Sequence, residues 1–336
     1  MTLEQPNCST SNPENEGATV LVTGGAGFIG SHLVDALLNQ NCNVTVIDDV
    51  STGLLSNLPI DNENLTVLTG SVTEKIKDLD PSFDAIYHLA AAVGVKLVVD
   101  EPIRTIETNI HETSAILRFA AQRLTPTLLA STSEVYGKSE SLPMREDGDL
   151  VFGATTKSRW SYGCSKALDE HLATAWYRKE GLPVRIPRFF NTIGTRQRAG
   201  FGMVVPRFIK AALEGDPLVV YGDGSQTRCF CDVRDTVPMI LKLMQTDASI
   251  GECVNVGSDE VVSIGELAAL IISTLESNSE IQFVPMHEVY GQGFEDLRDR
   301  KPDLQKLRSC IEVNKQFTIE DTIVAIAESF STGATQ

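Results

Sequence analysis

The chain predicts an α/β fold, a doubly wound parallel sheet with a smaller C-terminal substrate-binding lobe. Three observations carry this. Short apolar runs alternate with longer helical patterns through the first half, a glycine cluster stands where the first run meets the first helix, and the regularity fades from about Phe189 onward. Strands alternating with helices build a parallel sheet because each crossover helix must cover one of its faces.

The elements follow in chain order. ATVLVTG reads as the first strand and SHLVDALLNQ as the helix behind it; NVTVIDD, DAIYHLA and PTLLASTS supply further strands. Ligands of such sheets bind at the carboxyl ends of the strands. PLVVYGDGSQTRCFCDV reads as extended segments around a Gly-Asp-Gly turn. VSIGELAALIISTL reads as a helix that Ser263 caps, with Glu266 three residues on completing a capping box. Residues 18–188 are expected to form the cofactor domain and 189–330 mainly the substrate lobe, with chain crossings returning near 230–260. The polar residues 1–17 are expected to be a disordered tail.

Charge narrows the function. The 28 Lys+Arg against 45 Asp+Glu leave a net charge of -17, which argues against nucleic acid as a partner, since such surfaces cluster positive charge. An anionic ligand must then be met by locally placed arginines. The start lacks both a basic segment and an apolar run, and no stretch is apolar enough to span a bilayer, so a cytoplasmic protein without a membrane partner is expected. Seven cysteines, an odd number without a short framework, suit reduced thiols. Cys229 and Cys231 read as structural, and His32, His88, His111, His171 and His287 show no ligand-like pairing, so no metal is expected.

The segment VLVTGGAGFIGSHLVDALL puts Gly24, Gly25, Gly27 and Gly30 between a strand and a helix that opens on Phe28 and Ile29. Glycine permits the tight turn and the close approach of a pyrophosphate, and the helix N-terminus offers free amides and a favourable dipole. Asp48 follows about twenty residues later, where a carboxylate accepts from the adenine ribose hydroxyls. This is a Rossmann dinucleotide fingerprint, and it favours NAD. Asp48 would repel a ribose 2'-phosphate, and Asp49, Val50 and Ser51 offer no arginine to hold one.

Downstream, SYGCSKALDEHLA sets Tyr162 and Lys166 four apart at the start of a helical pattern, on one face. A lysine ammonium near a phenol lowers its pKa, giving a base that takes a hydroxyl proton while hydride leaves for nicotinamide. His88 reads as a packing residue, and Trp160 as pocket wall or core.

Across nearly all of Ala18 to Ser329 the chain resembles the extended short-chain dehydrogenases acting on nucleotide sugars. The matching pieces are TGGAGFIGSHLVDALL, HLAAAVGV, STSEVYG, SYGCSKALDEHLA, RFFNTIGTRQ, VYGDGSQTRCFCDVRD and RKPD. The resemblance implies that Thr132 hydrogen-bonds the hydroxyl being oxidised, Tyr162 is the base and Lys166 also holds the nicotinamide ribose. It further implies that Leu89 and Ala90 line the cofactor, that Asn191 and Arg228 grip the nucleotide diphosphate, and that the chain dimerises through the Tyr162 helix and its neighbour. Ser71 departs from the pattern, standing where many relatives carry an acid beside the adenine.

The reaction turns on Ser133, Glu134 and Arg300. A 4,6-dehydratase of this family has an acid where Ser133 stands, and a 4-epimerase gives Glu134 no required role. Decarboxylation uses all three residues: oxidation at C4 makes the C6 carboxylate beta to a ketone, Arg300 positions it, and Glu134 with Ser133 manages the proton returned to C5. VYGQGFEDLRDRKPDLQKL, STSEVYG and SRWSY look like the UDP-glucuronate decarboxylases. UDP-xylose or its 4-keto pentose is then the product, with a UDP-sugar 4-epimerase the alternative and a 4,6-dehydratase behind it.

Overall fold

The computed structural model describes residues 17–92, 94, 100–290 and 298–331. Residues 1–16 of the expected tail lie outside them, as do parts of the HLAAAVGV and VYGQGFEDL segments.

Strands β1 (Thr19–Thr23), β2 (Asn43–Asp48), β3 (Leu65–Thr69), β4 (Ala85–His88), β5 (Thr127–Leu129), β6 (Ser131–Thr132) and β7 (Val184–Phe189) come from the stretch up to Phe189. Together with Cys253–Val256 they form one parallel sheet in the order β3, β2, β1, β4, β5, β7, Cys253–Val256, with β6 also on β7. The strand order reverses between β1 and β4, which opens a crevice at their carboxyl ends.

Period two assigns the faces. In β1, Val20 and Val22 point into a core with Leu33, Val34 and Leu37 of helix α1 (Phe28–Leu38), while Leu21 joins the opposite core. That second core holds Ile116 and Leu117 of a later helix, Pro102–Ala121, and Ala173 of another, Ser161–Glu180. Between α1 and these two, the short helix α2 (Val72–Lys75) follows β3; the two long ones are α3 and α4. Such sheets, buried on both faces, need near-continuous apolar strands, as VLV and AIY provide.

After β7 the chain enters the smaller lobe through β8 (Thr192–Ile193), α5 (Val204–Glu214), β9 (Leu218–Tyr221) and β10 (Thr227–Cys229). The GDG turn separates β9 from β10, but they do not pair with each other. β9 runs parallel to Ile281–Val284, and β10 antiparallel to Val261–Ser263. Between them the chain returns to the first domain. β11 (Cys231–Asp232) leads into α6 (Val233–Gln245), whose Ile240 and Leu243 share a core with α1, and then into β12 (Cys253–Val256). A further crossing brings Leu304, Leu307 and Ile311 into that same core. The smaller lobe has a separate core of Phe208, Ile209, Leu218, Val220 and Leu267, the last on a helix that Ser263 opens with the capping box formed by Glu266. Cys229 and Cys231 are buried, and burial pushes both thiols up to about 12, as befits structural residues.

Candidate active site

A cleft of about 490 Å³ opens over the reversal of strand order, lined by the strand ends of the sheet and by residues of the smaller lobe. Gly24, Gly27, Phe28, Ile29, Gly30, Asp48, Leu89, Ala90, Thr132, Ser133, Glu134, Tyr162, Asn191, Arg228 and Arg300 all line it. Lys166 lies beneath the cleft wall, 2 % exposed.

The cofactor end follows from close packing of backbone. Gly24 has φ +72°, and a Cβ there would stand 2.6 Å from the Ala90 nitrogen; a Cβ on Gly30 would stand 2.1 Å from the Gly24 oxygen. Any side chain at either position breaks the seat of α1 on the sheet. Gly27 caps α1 without a side-chain hydrogen bond, so the helix presents its first amides to the cleft. Asp48 receives the amides of Ala26 at 2.9 Å and Val50 at 2.8 Å, which anchors the carboxylate at the end of β2. Burial pushes its pKa up, against those amide bonds. These residues fit an adenosine dinucleotide: amides for a pyrophosphate and a fixed acceptor for a ribose.

The catalytic end sits on β6 and α4. Thr132 ends β6, and its hydroxyl accepts the Glu134 amide at 3.2 Å, starting the turn that carries Ser133 and Glu134. β6 is pinned from below, where Ser131 donates to Glu170 at 2.5 Å and Glu170 pairs with Arg188 at 2.7 Å. Tyr162 in the first turn of α4 faces the same point, hydrogen-bonded with Thr132.

The phenol differs from the sequence expectation. Burial raises the Tyr162 pKa, the Glu134 and Asp169 charges raise it further, and only the Thr132 hydrogen bond opposes them. The Lys166 Nζ pairs with buried Asp169 at 2.8 Å, and it is the Asp169 charge, not the ammonium, that acts on the phenol. His88 is a packing residue: Thr23 and Thr113 hydroxyls hold its two ring nitrogens, and burial followed by the Lys166 charge lowers its pKa to about 3.

Glu134 is the centre of a cluster. Arg159 meets its Oε2 at 2.5 Å and Arg300 its Oε1 at 2.5 Å, with both arginines about 6 % exposed. Burial alone would raise the carboxyl, but Arg300 and then Arg159 overcome it and hold the pKa at about 2. As it stands, Glu134 is an ionised acceptor and cannot donate the proton expected of it. Arg159 was not among the sequence candidates. It stands three residues before Tyr162, one turn back toward the same point, and that spacing was the available signal. Trp160 is core, buried outside the cleft lining, with the Arg159 guanidinium 5.7 Å from its ring centre.

The smaller lobe supplies more positive charge. Arg196, Arg198, Arg207 and Arg228 line that end of the cleft in a chain of net charge -17. Asp35 fixes Arg196 at 2.7 Å, Tyr221 stacks under Arg207 at 4.3 Å, and the Thr227 and Arg298 carbonyls draw in Arg228 at 2.8 and 2.9 Å. Asn191 takes φ +37° and donates to the Cys229 carbonyl at 3.0 Å, which turns it toward the cleft. These are the locally placed arginines that an anionic ligand needs.

A dinucleotide seat at the sheet's switch point, a threonine and tyrosine at one spot, and a basic second lobe define an enzyme of the extended short-chain dehydrogenase class. The chain belongs to the NAD dependent epimerase/dehydratase family, whose model matches residues 20–257. It is 42 % identical over 303 residues to the UDP-N-acetyl-alpha-D-glucosaminuronate decarboxylase of Bacillus cytotoxicus, covering 89 % of this chain and 94 % of that one. It is 37 % identical over 322 residues to UDP-glucuronic acid decarboxylase 1 of Danio rerio, covering 95 % and 74 %. Among solved structures, the UDP-N-acetylglucosamine 4-epimerase of Methanobrevibacter ruminantium superposes with a TM-score of 0.84 at 28 % identity, over 95 % of this chain and 99 % of that one. An epimerase of Methanothermobacter thermautotrophicus reaches 0.86 at 25 % identity, over 95 % and 94 %.

Proposed function

We propose that the chain uses NAD to decarboxylate a UDP-linked uronate, UDP-glucuronate in the first instance, giving UDP-xylose or its 4-keto pentose. One observation carries this reading: Glu134 held between Arg159 and Arg300 beside Thr132 and Tyr162. Two guanidiniums converge there on one largely buried carboxylate, beside the threonine and tyrosine that flank the reacting carbon. Such groups suit the carboxylate of a uronate, which a guanidinium can grip through two parallel N–H donors. A neutral hydroxymethyl group offers them no charge.

The residues divide the work. Gly24, Gly27, Phe28, Ile29, Gly30, Asp48, Leu89 and Ala90 hold the dinucleotide, and Tyr162 and Lys166 orient its nicotinamide ribose. Bound there, NAD supplies a hydride acceptor for C4. Thr132 hydrogen-bonds the C4 hydroxyl and Tyr162 takes its proton. Arg300 and Arg159 hold the C6 carboxylate, which leaves as carbon dioxide once C4 is a ketone, with the electron pair passing into the enolate. A substrate carboxylate that draws Arg300 away removes the main charge holding Glu134 at about 2. The buried carboxyl then rises and, with Ser133, delivers to C5 the one proton that decarboxylation consumes from solvent. Asn191 and Arg228 hold the diphosphate.

Asp48 sets the cofactor preference. Its buried, amide-anchored carboxylate cannot swing clear of a 2'-phosphate, so NAD is expected to bind at least about tenfold tighter than NADP. A fluorescence titration giving the reverse order refutes the assignment.

The 42 % identity to a protein named for an N-acetylated uronate supports a second reading, in which the sugar carries a 2-acetamido group. A UDP-sugar 4-epimerase is the alternative supported by the similar solved structures. A 4,6-dehydratase has less support, since Ser133 offers no carboxyl. Exposed Ile103 on α3 and Leu168 on α4, 72 % and 50 % exposed, support a homodimer through these helices; sedimentation at twice the 36.5 kDa chain mass is the expected result. No helix among the described residues is long and apolar enough to cross a membrane, and the free cysteines support a reducing, cytoplasmic setting.

The experiment is incubation with NAD and each of UDP-glucuronate, UDP-N-acetylglucosaminuronate and UDP-glucose, with carbon dioxide release and proton NMR of the product. Carbon dioxide from a uronate with a pentose product upholds the proposal. Conversion to the C4 epimer with the carboxylate retained makes the enzyme an epimerase.

A further inference from the structure

The adenine end of the cleft contains a carboxyl that takes no part in the proposed reaction. Glu112 projects from α3, is 8 % exposed, and lines the cleft beside Gly70 and Val72 at the end of β3. Its Oε1 accepts the Val72 amide at 3.2 Å, its one hydrogen bond among the described residues. Burying a carboxyl against a single amide is costly, and a ligand in the cleft that supplies a further partner offsets that cost.

The strand order says which part of a dinucleotide reaches it. Successive strands of a sheet lie about 4.8 Å apart. The pyrophosphate seat is at the end of β1 and the ribose acceptor Asp48 at the end of β2. The next group outward, the base, therefore lies over the end of β3, where Gly70, Val72 and Glu112 meet. Ser71 is otherwise engaged: its hydroxyl accepts the Glu74 amide as the cap of α2.

We infer that Glu112 reads the base of the cofactor, its carboxyl accepting the exocyclic amine of adenine in the role that Ser71 leaves unfilled. The inference rests on the NAD reading above. Adenine presents an amine donor beside a ring-nitrogen acceptor, and a carboxyl can match both when it carries a proton. Burial first, then Asp49 and Asp48, push the Glu112 pKa up to about 7 against the Val72 hydrogen bond, so the protonated form is well populated at neutral pH.

The test titrates the nucleotide-stripped protein with NAD and with the dinucleotide whose base is purine, lacking only the 6-amino group. The wild-type protein is expected to prefer NAD by about tenfold, the worth of one buried hydrogen bond. Glu112→Ala should lose that preference, and Glu112→Gln, which keeps an acceptor oxygen, should retain most of it. A role confined to packing α3 on α2 would weaken both dinucleotides equally and leave the ratio unchanged. An Ala variant with the wild-type ratio, or a wild-type protein without preference, overturns the inference. Binding of neither dinucleotide to the wild-type protein instead overturns the NAD reading itself.

Discussion

Tyr162→Phe is expected to lower the turnover of the uronate substrate by about 10³-fold while dinucleotide affinity changes little. The reason is local. Thr132 and Tyr162 are hydrogen-bonded at the end of β6, and Tyr162 is the cleft-lining group there whose proton affinity suits uptake from a hydroxyl. Lys166 cannot take over, since its ammonium is buried against Asp169. Phenylalanine keeps the ring in place, so packing of α4 survives. The sign of the pH dependence follows from the raised phenol: the base form grows as pH rises, so wild-type turnover climbs with pH and levels off only when the phenol of the complex is ionised. Turnover measured by proton NMR across pH, beside a dinucleotide titration, reads both effects. A variant that retains more than about a tenth of the activity would remove Tyr162 from the role of base.

The sheet was legible because its information is local. Val20, Leu21 and Val22 alternate faces, the glycine cluster stands where only glycine fits, and Ser263 with Glu266 signs a helix start. The GDG turn was legible as a turn, but pairing was not: β9 and β10 find partners some 30 to 60 residues away, a choice made by the core of the smaller lobe. At the site, Tyr162 and Lys166 could be placed on one helix face, yet the charge that Lys166 feels depends on burial. Asp169, one turn further along the same helix, was visible and unweighted; that both would be only 1–2 % exposed was not visible. Arg159, Glu134 and Arg300 come from α4's approach, the turn after β6 and a distant loop. Only the fold brings them together, so sequence reasoning reached two of the three through resemblance and missed the third.

That triad carries the second large effect, and its members should respond differently. Arg300→Ala leaves Glu134 paired with Arg159, so the loss of stability is expected to be small, about 1 kcal/mol. Turnover of the uronate should nevertheless fall by about 10²-fold or more, because a charge that positions the departing carboxylate is gone. Glu134→Gln is the costlier change for the fold: it removes the carboxylate that both buried guanidiniums meet, which costs about 3–5 kcal/mol. A bound uronate restores a carboxylate beside them, so its stabilising effect in thermal melts should be larger in Glu134→Gln than in the wild-type protein. Acidification gives an independent reading. Glu134 is held at about 2, below its value of about 4.3 in an unfolded chain. Its contribution to stability is therefore present above pH ~4.3 and lost as pH falls toward 2. The acid limb of the stability curve should be shallower in Glu134→Gln. Equal ligand stabilisation in both proteins, with the acid limb unchanged, would mean that the two arginines serve Glu134 alone and that the substrate's carboxylate, if it has one, binds elsewhere.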